Sequence, residues 1–197
     1  MRHSRHNGSP ALRRTAAILV ALVLAVALVP RAEAAGFVQV LKASMSLRDG
    51  VWYLDADVAW SPSEAAREAL DSGVTLDVIL RVAVSERRRF LWDPDVAELE
   101  QRYELQYHAL TQRFILRNLN SGQQRTFATL DAALRALSEV RQLPVLDDAL
   151  LDDDEQYDVG LKAEMDMKQL GGPLALISFL WNDWQLESEW ERWPLQR

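Results

Sequence analysis

The chain has 197 residues, a net charge of −7, three histidines and no cysteine. The missing cysteine excludes disulfides, thiol nucleophiles, zinc ribbons and iron–sulfur ligation. The acidic balance repels nucleic acid and anionic lipid, so neither is an expected partner. Taken in chain order, the first element is a secretory signal peptide over residues 1–34. Arg2, Arg5, Arg13 and Arg14 make a basic start, Ala16 to Val29 is an unbroken apolar run, and Pro30 ends it. Ala32 and Ala34 put small residues where a signal peptidase reads, which makes Ala35 the expected first mature residue. The apolar run falls short of the roughly 20 residues of a spanning helix. An uncleaved anchor is the alternative, and that segment is then the expected route to a membrane. Cleavage removes five arginines and one glutamate, leaving 17 basic against 28 acidic residues, a net −11. It also removes His3 and His6, so a site built on two histidines is excluded from one mature chain. In a bacterial source the expected compartment is the periplasm, or the inner membrane facing it if the anchor stays.

The mature part opens with alternation. Phe37 to Leu47 is a looser strand with Phe37, Leu41, Ala43, Met45 and Leu47 on one side. Val51 to Trp60 is cleaner, with Trp52, Leu54, Ala56, Val58 and Trp60 on one face. Asp49-Gly50 between them tolerates positive φ and predicts an antiparallel hairpin. Ser61-Pro62-Ser63-Glu64 opens a short helix, capped by Ser61 or Ser63 and ended by Gly73. Val74 to Ser85 is a strand with Val74, Leu76, Val78, Leu80, Val82 and Val84 on one face. Asp93-Pro94 is a stop, Glu98 to His108 a strand with Leu99, Tyr103, Leu105 and Tyr107 on one side, and Thr111 to Leu119 another. Asn120-Ser121-Gly122 turns the chain into Gln123 to Phe127. Thr129 caps an amphipathic helix in which Leu130, Ala133, Leu134, Leu137 and Val140 recur, ended by Leu143-Pro144. An acidic loop, Asp147 to Glu155, precedes a strand from Tyr157 to Met167. Leu174 to Trp181 is ambiguous between strand and helical turn, and Trp184 to Trp190 alternates as a last strand.

Seven to nine strands joined by short turns, most with one polar face, predict a mainly β fold. The expected architecture is an antiparallel β-sandwich with two short peripheral helices, α+β being the alternative. It forms a single domain over 35–197.

The run from Gln101 to Leu137, QRYELQYHALTQRFILRNLNSGQQRTFATLDAALRAL, resembles the central segment of a bacterial family of secreted proteins, domain of unknown function 4390. Its members are sometimes labelled proline-rich signal peptide proteins. The tail NDWQLESEWERWPL, Asn182 to Leu195, is similar to the same family. The resemblance spans most of the mature chain and rests on structural motifs: alternation, a hairpin and a capped helix. It implies a Gram-negative, proteobacterial source, and it transfers no catalytic residue.

Chemistry-bearing clusters are few. Asp147, Asp148, Asp152, Asp153, Asp154 and Glu155 carry hard oxygen donors, and Asp152 to Glu155 form a candidate weak calcium site. They lack the alternation and central glycine of an EF-hand loop, and clustered carboxylates ordinarily point into water. Asp55 and Asp57 share the polar face of one strand, as a glycosidase pair does not: such carboxylates come from opposite sides of a cleft. His108 has Tyr107 and Thr111 near it but no nucleophile elbow. Arg87, Arg88 and Arg89 form the dense positive patch, able to grip a partner's carboxylates or to pair within the chain. Trp181, Trp184, Trp190 and Trp193 are a candidate aromatic platform or a piece of the core. There is no Walker loop, dinucleotide fingerprint or zinc spacing. These readings predict no cofactor and no catalytic set. They predict an exported domain that binds an envelope protein through a sheet edge or the arginine patch. A carbohydrate-binding module or weak hydrolase built on the tryptophans, Asp55 and Asp57 is the rival.

Overall fold

A computed structural model of the protein describes residues 35–87, 95–167 and 185–196. Among them two antiparallel sheets pack face to face. The smaller sheet has the order β1-β2-β7, from strands β1 (Phe37–Arg48), β2 (Val51–Ser61) and β7 (Glu139–Asp147). The larger has seven strands. Its main path is β10-β8-β3-β4-β5-β6, and β9 also pairs with β8. These strands are β3 (Leu76–Glu86), β4 (Asp95–His108), β5 (Arg113–Asn118), β6 (Gln124–Phe127), β8 (Tyr157–Met167), β9 (Leu186–Glu187) and β10 (Glu191–Pro194).

The sandwich follows from period two. Trp52, Leu54, Ala56, Val58 and Trp60 on β2 meet Leu76, Val78, Leu80, Val82 and Val84 on β3 and Tyr157, Val159, Leu161, Ala163 and Met165 on β8 in one buried cluster. Asp49 and Gly50 both have positive φ, 49° and 80°, as a two-residue primed hairpin turn requires. Ser63 caps α1 (Glu64–Asp71), its Oγ accepting the Ala66 N–H at 3.2 Å. Thr129 does the same for Ala132 in α2 (Leu130–Ser138) at 3.2 Å. Burying Ala133, Leu134 and Leu137, α2 packs on β2 and reaches β5 and β6.

Four expectations are corrected. The inward face of β1 changes parity, because the pairing with β2 shifts between Val40 and Lys42. Val38 and Val40 point inward before that bulge and Ala43 and Met45 after it, while Phe37 and Leu41 are exposed. An extra residue in one strand flips every later side chain, and no periodicity rule sees it coming. Second, the helix capped by Thr129 stops at Ser138 and does not run to Leu143-Pro144. Glu139 to Asp147 is β7. Val140 keeps the helical spacing yet is buried from a strand, paired with Ala56. Pro144 is tolerated because β7 is an edge strand, where a missing N–H breaks no ladder. Third, Leu186–Glu187 and Glu191–Pro194 stand where one strand over Trp184 to Trp190 was expected, and Trp184 lies outside the described residues. Ser188 breaks the run: its Oγ accepts the Ala163 N–H at 3.0 Å and its own N–H donates to the Ala163 carbonyl at 2.8 Å. Fourth, Trp190 is not a piece of the core. It lies over Gly160 on the outer side of β8.

Candidate functional site

The outer face of the large sheet is a closed charge lattice. Arg81 on β3 pairs with Glu100 on β4 and, at 3.1 Å, with Glu164 on β8. Arg102 holds Glu100 at 2.6 Å, and Lys162 holds Glu187 at 2.7 Å and Glu164 at 3.5 Å. The hydrogen bond from Arg102, helped by the charge of Arg81, keeps the Glu100 carboxyl below its ordinary range against the effect of burial. The hydrogen bond to Glu187 raises the Lys162 ammonium above its own. Charges that satisfy one another across a face leave little for a ligand to recognise.

On the small sheet, Lys42, Ser44, Asp55, Ala56, Asp57 and Arg141 line a shallow hollow of about 250 Å³. Asp57 accepts from Arg141 at 2.5 Å, and this bond raises the guanidinium's pKa. Asp55 accepts from the backbone N–H of Gln142 at 3.0 Å, where the chain takes a φ of +50°. Both carboxylates of the expected pair thus brace β7. They sit side by side on one strand, not across a cleft.

The remaining sequence candidates fall as follows. Ala32 and Ala34 lie outside the described residues, and Ala35 begins them. Arg87 is spent within the chain, its Nε donating to Asp158 at 2.8 Å; Arg88 and Arg89 lie outside the described residues. Asp147 caps Ala149 at 2.9 Å, Asp148 accepts from Trp52 Nε1 at 2.8 Å, and Asp152 accepts from the Asp154 N–H at 3.0 Å. These bonds fold the acidic loop. No group of three or more metal-ligating side chains forms among the described residues, so Asp152, Asp153, Asp154 and Glu155 are not gathered into a cage. His108 meets only a turn hydroxyl, Thr111 Oγ1, at 3.1 Å among the described side chains. Trp190 lies on the outer side of β8, with Arg192 over its ring at 5.6 Å, whereas Trp193 packs against the core. The two therefore do not form one platform, and Trp181 and Trp184 lie outside the described residues.

Two features were not located by the sequence, although a sheet edge was expected as a contact. The first is the exposed edge of β1. Three of the six exposed large apolar side chains among the described residues lie on it: Phe37, Leu41 and Leu47. Next to its N-terminal half, Phe37, Val38, Gln39 and Val40 face Glu187, Ser188, Glu189 and Glu191 across a groove of about 430 Å³. The second is a polar pocket between the sheets. Gln101 is buried on the inward side of β4, and its amide donates to Asn118 at 2.9 Å and Asn120 at 3.1 Å. Asn118 lines the pocket and Gln101 holds it from behind, so the legible signal was a polar residue interrupting the inward alternation of β4.

These features define a β-sandwich domain with one long exposed edge and no assembled catalytic group among the described residues. A family model described as a domain of unknown function, DUF4390, matches residues 36–194, and the chain belongs to that family. Comparison with curated proteins and with solved structures gave no match. No helix among the described residues is long and apolar enough to cross a membrane.

Proposed function

We propose that this is an exported, non-enzymatic envelope domain that acts by binding a protein partner, which adds a strand to the β1 edge. The carrying observation is the contrast between β1 and the other edges among the described residues. β6 and β10 have four residues each, β9 has two, and β7 carries Pro144 and two register shifts. Short strands, prolines and bulges are how proteins blunt edges against pairing. β1 has 12 residues, and seven of them, Lys42 to Arg48, stay in regular register beyond its single bulge. Strand addition would use its unpaired backbone groups for affinity and the exposed Leu47 and Leu41 for selectivity. Export rests on the basic, apolar and Ala-x-Ala pattern of residues 1–34, after which β1 begins at once.

A photo-crosslinking residue placed at Leu41 or Leu47 in intact cells tests the binding reading. The same single envelope-protein adduct should form from both positions and not from Leu110, which is 93% exposed at a distant turn. No adduct from β1, or an equal one from Leu110, would sink it. N-terminal sequencing of the protein from a periplasmic extract should begin at or within a residue or two of Ala35. A start at Met1 in a membrane fraction would replace cleavage by anchoring.

A further inference from the structure

Residues of β4, β5, β6, α2 and β7 line a hollow of about 310 Å³. That is the lower end of the range for small-molecule sites. Leu116 and Val140 are buried in its lining, with Ala136 and Leu143 beside them; Tyr103, Arg125 and Glu139 are among its polar groups. Arg141 also reaches it but is already bound to Asp57, and its charge faces Glu139 as well. Arg125 differs. It lies over the Phe127 ring at 5.1 Å, and among the described residues it makes no ion pair. Its guanidinium is exposed and lies in the same lining as the apolar residues. Tyr103 is half-buried, and burial raises its pKa, so the phenol stays a neutral donor at ordinary pH. Asn118, also in the lining, is fixed by Gln101 and by the turn N–H groups of Asn120 and Ser121 at 2.9 Å each, so this wall is preorganised.

We propose that this hollow binds a small amphipathic carboxylate, its apolar body on Leu116, Val140 and Leu143 and its carboxylate on Arg125. The Tyr103 hydroxyl donates a second hydrogen bond to the same group. A guanidinium matches a carboxylate with two parallel donors. The site is separate from the β1 edge, so either reading stands if the other fails.

The test uses the full chain with 3-fluorotyrosine in place of its four tyrosines, none of which lies in residues 1–34. The apolar N-terminal run therefore cannot generate a fluorine signal of its own. The Tyr103 resonance is identified by its loss in Tyr103→Phe. Octanoate should move it saturably while Tyr53 and Tyr157 stay in place. Octanol and octylamine should bind about tenfold more weakly or worse, because each forfeits a charge-assisted bond. Arg125→Gln, a change at an exposed position on β6, should weaken octanoate to the same degree and leave the urea midpoint unchanged. The proposal is overturned by no saturable movement into the millimolar range, by octanol matching octanoate, or by unaltered affinity in Arg125→Gln with its fold intact.

Discussion

Two tryptophans on β2 show how one side-chain atom changes what a buried residue contributes. Trp52 and Trp60 both face the core, 2% and 7% exposed. Trp52 Nε1 donates to Asp148 at 2.8 Å, tying β2 to the turn after β7. Trp60 Nε1 is buried with no partner among the described residues. Both indoles bury comparable apolar area, so truncation to Phe should cost both a similar cavity term. The polar terms have opposite signs. Trp52→Phe breaks the bond to Asp148, whereas Trp60→Phe removes a buried donor with no partner among the described residues. Trp52→Phe should therefore destabilise by about 1–2 kcal/mol more than Trp60→Phe. Urea midpoints at constant slope measure the difference. Equal losses would mean that the Trp52–Asp148 bond has no net worth.

At the scale of elements, α2 and β7 depend on how one segment ends and the next begins. Thr129 satisfies one of the free N–H groups of α2, and Asp131 in the first turn suits its positive end. The helix then gives way without a glycine: Glu139, its C-cap, already has φ −103° and ψ 93°, and the chain enters β7 directly. With β7 paired to β2, the helix is clamped at both ends. Thr129→Ala should cost about 1 kcal/mol, and Ser63→Ala at α1 about the same. Since α2 forms one wall of the hollow, Thr129→Ala should also broaden the Tyr103 fluorine resonance, while Ser63→Ala should leave it sharp. A Thr129→Ala protein with an unchanged midpoint would show that packing on β2 alone holds the helix.

For the molecule as a whole, the charge lattice and Tyr103 should shape the pH range of stability. The folded pKa of Glu100 is depressed, so its contribution is present above its unfolded value, near 4.3, and lost as pH falls through the lower folded value. The folded pKa values of Lys162 and Tyr103 are raised. Their contributions are present below the unfolded values, near 10, and are lost as pH rises through the folded ones. Stability should therefore be flat between about pH 5 and pH 9, with both limbs falling outward. Glu100→Gln should flatten the acid limb, and Lys162→Met with Tyr103→Phe the alkaline one, measured as urea midpoints against pH. The effect of Glu100 should be small and fade with salt, since its side chain is a third exposed and surface pairs are screened. Unchanged limbs in these variants would assign the pH dependence to other groups.

The sequence by itself determined the mainly β class, the Asp49-Gly50 hairpin, the two capped helix starts and the inward faces of β2, β3 and β8. All of these are local: period-two patterning, a positive-φ turn pair and a hydroxyl before a helical run are readable within a few residues. The tertiary structure alone decided where the alternation breaks. The bulge at Leu41 shifts the pairing with β2, so Val38 and Val40 face inward before it and Ala43 and Met45 after it, leaving Phe37 and Leu41 exposed. Val140 is strand and not helix because Ala56 pairs with it, although its spacing of three from Leu137 fits the helical period. The paired reading of Asp55 and Asp57 changed once Gln142 and Arg141, 87 and 84 residues along the chain, were found to hold them. The polar hollow is built from β4, β5, β6, α2 and β7, each contributing one or a few side chains. Such a site leaves no mark at fixed spacing in one sequence, because its residues become neighbours only when the sheets close on one another.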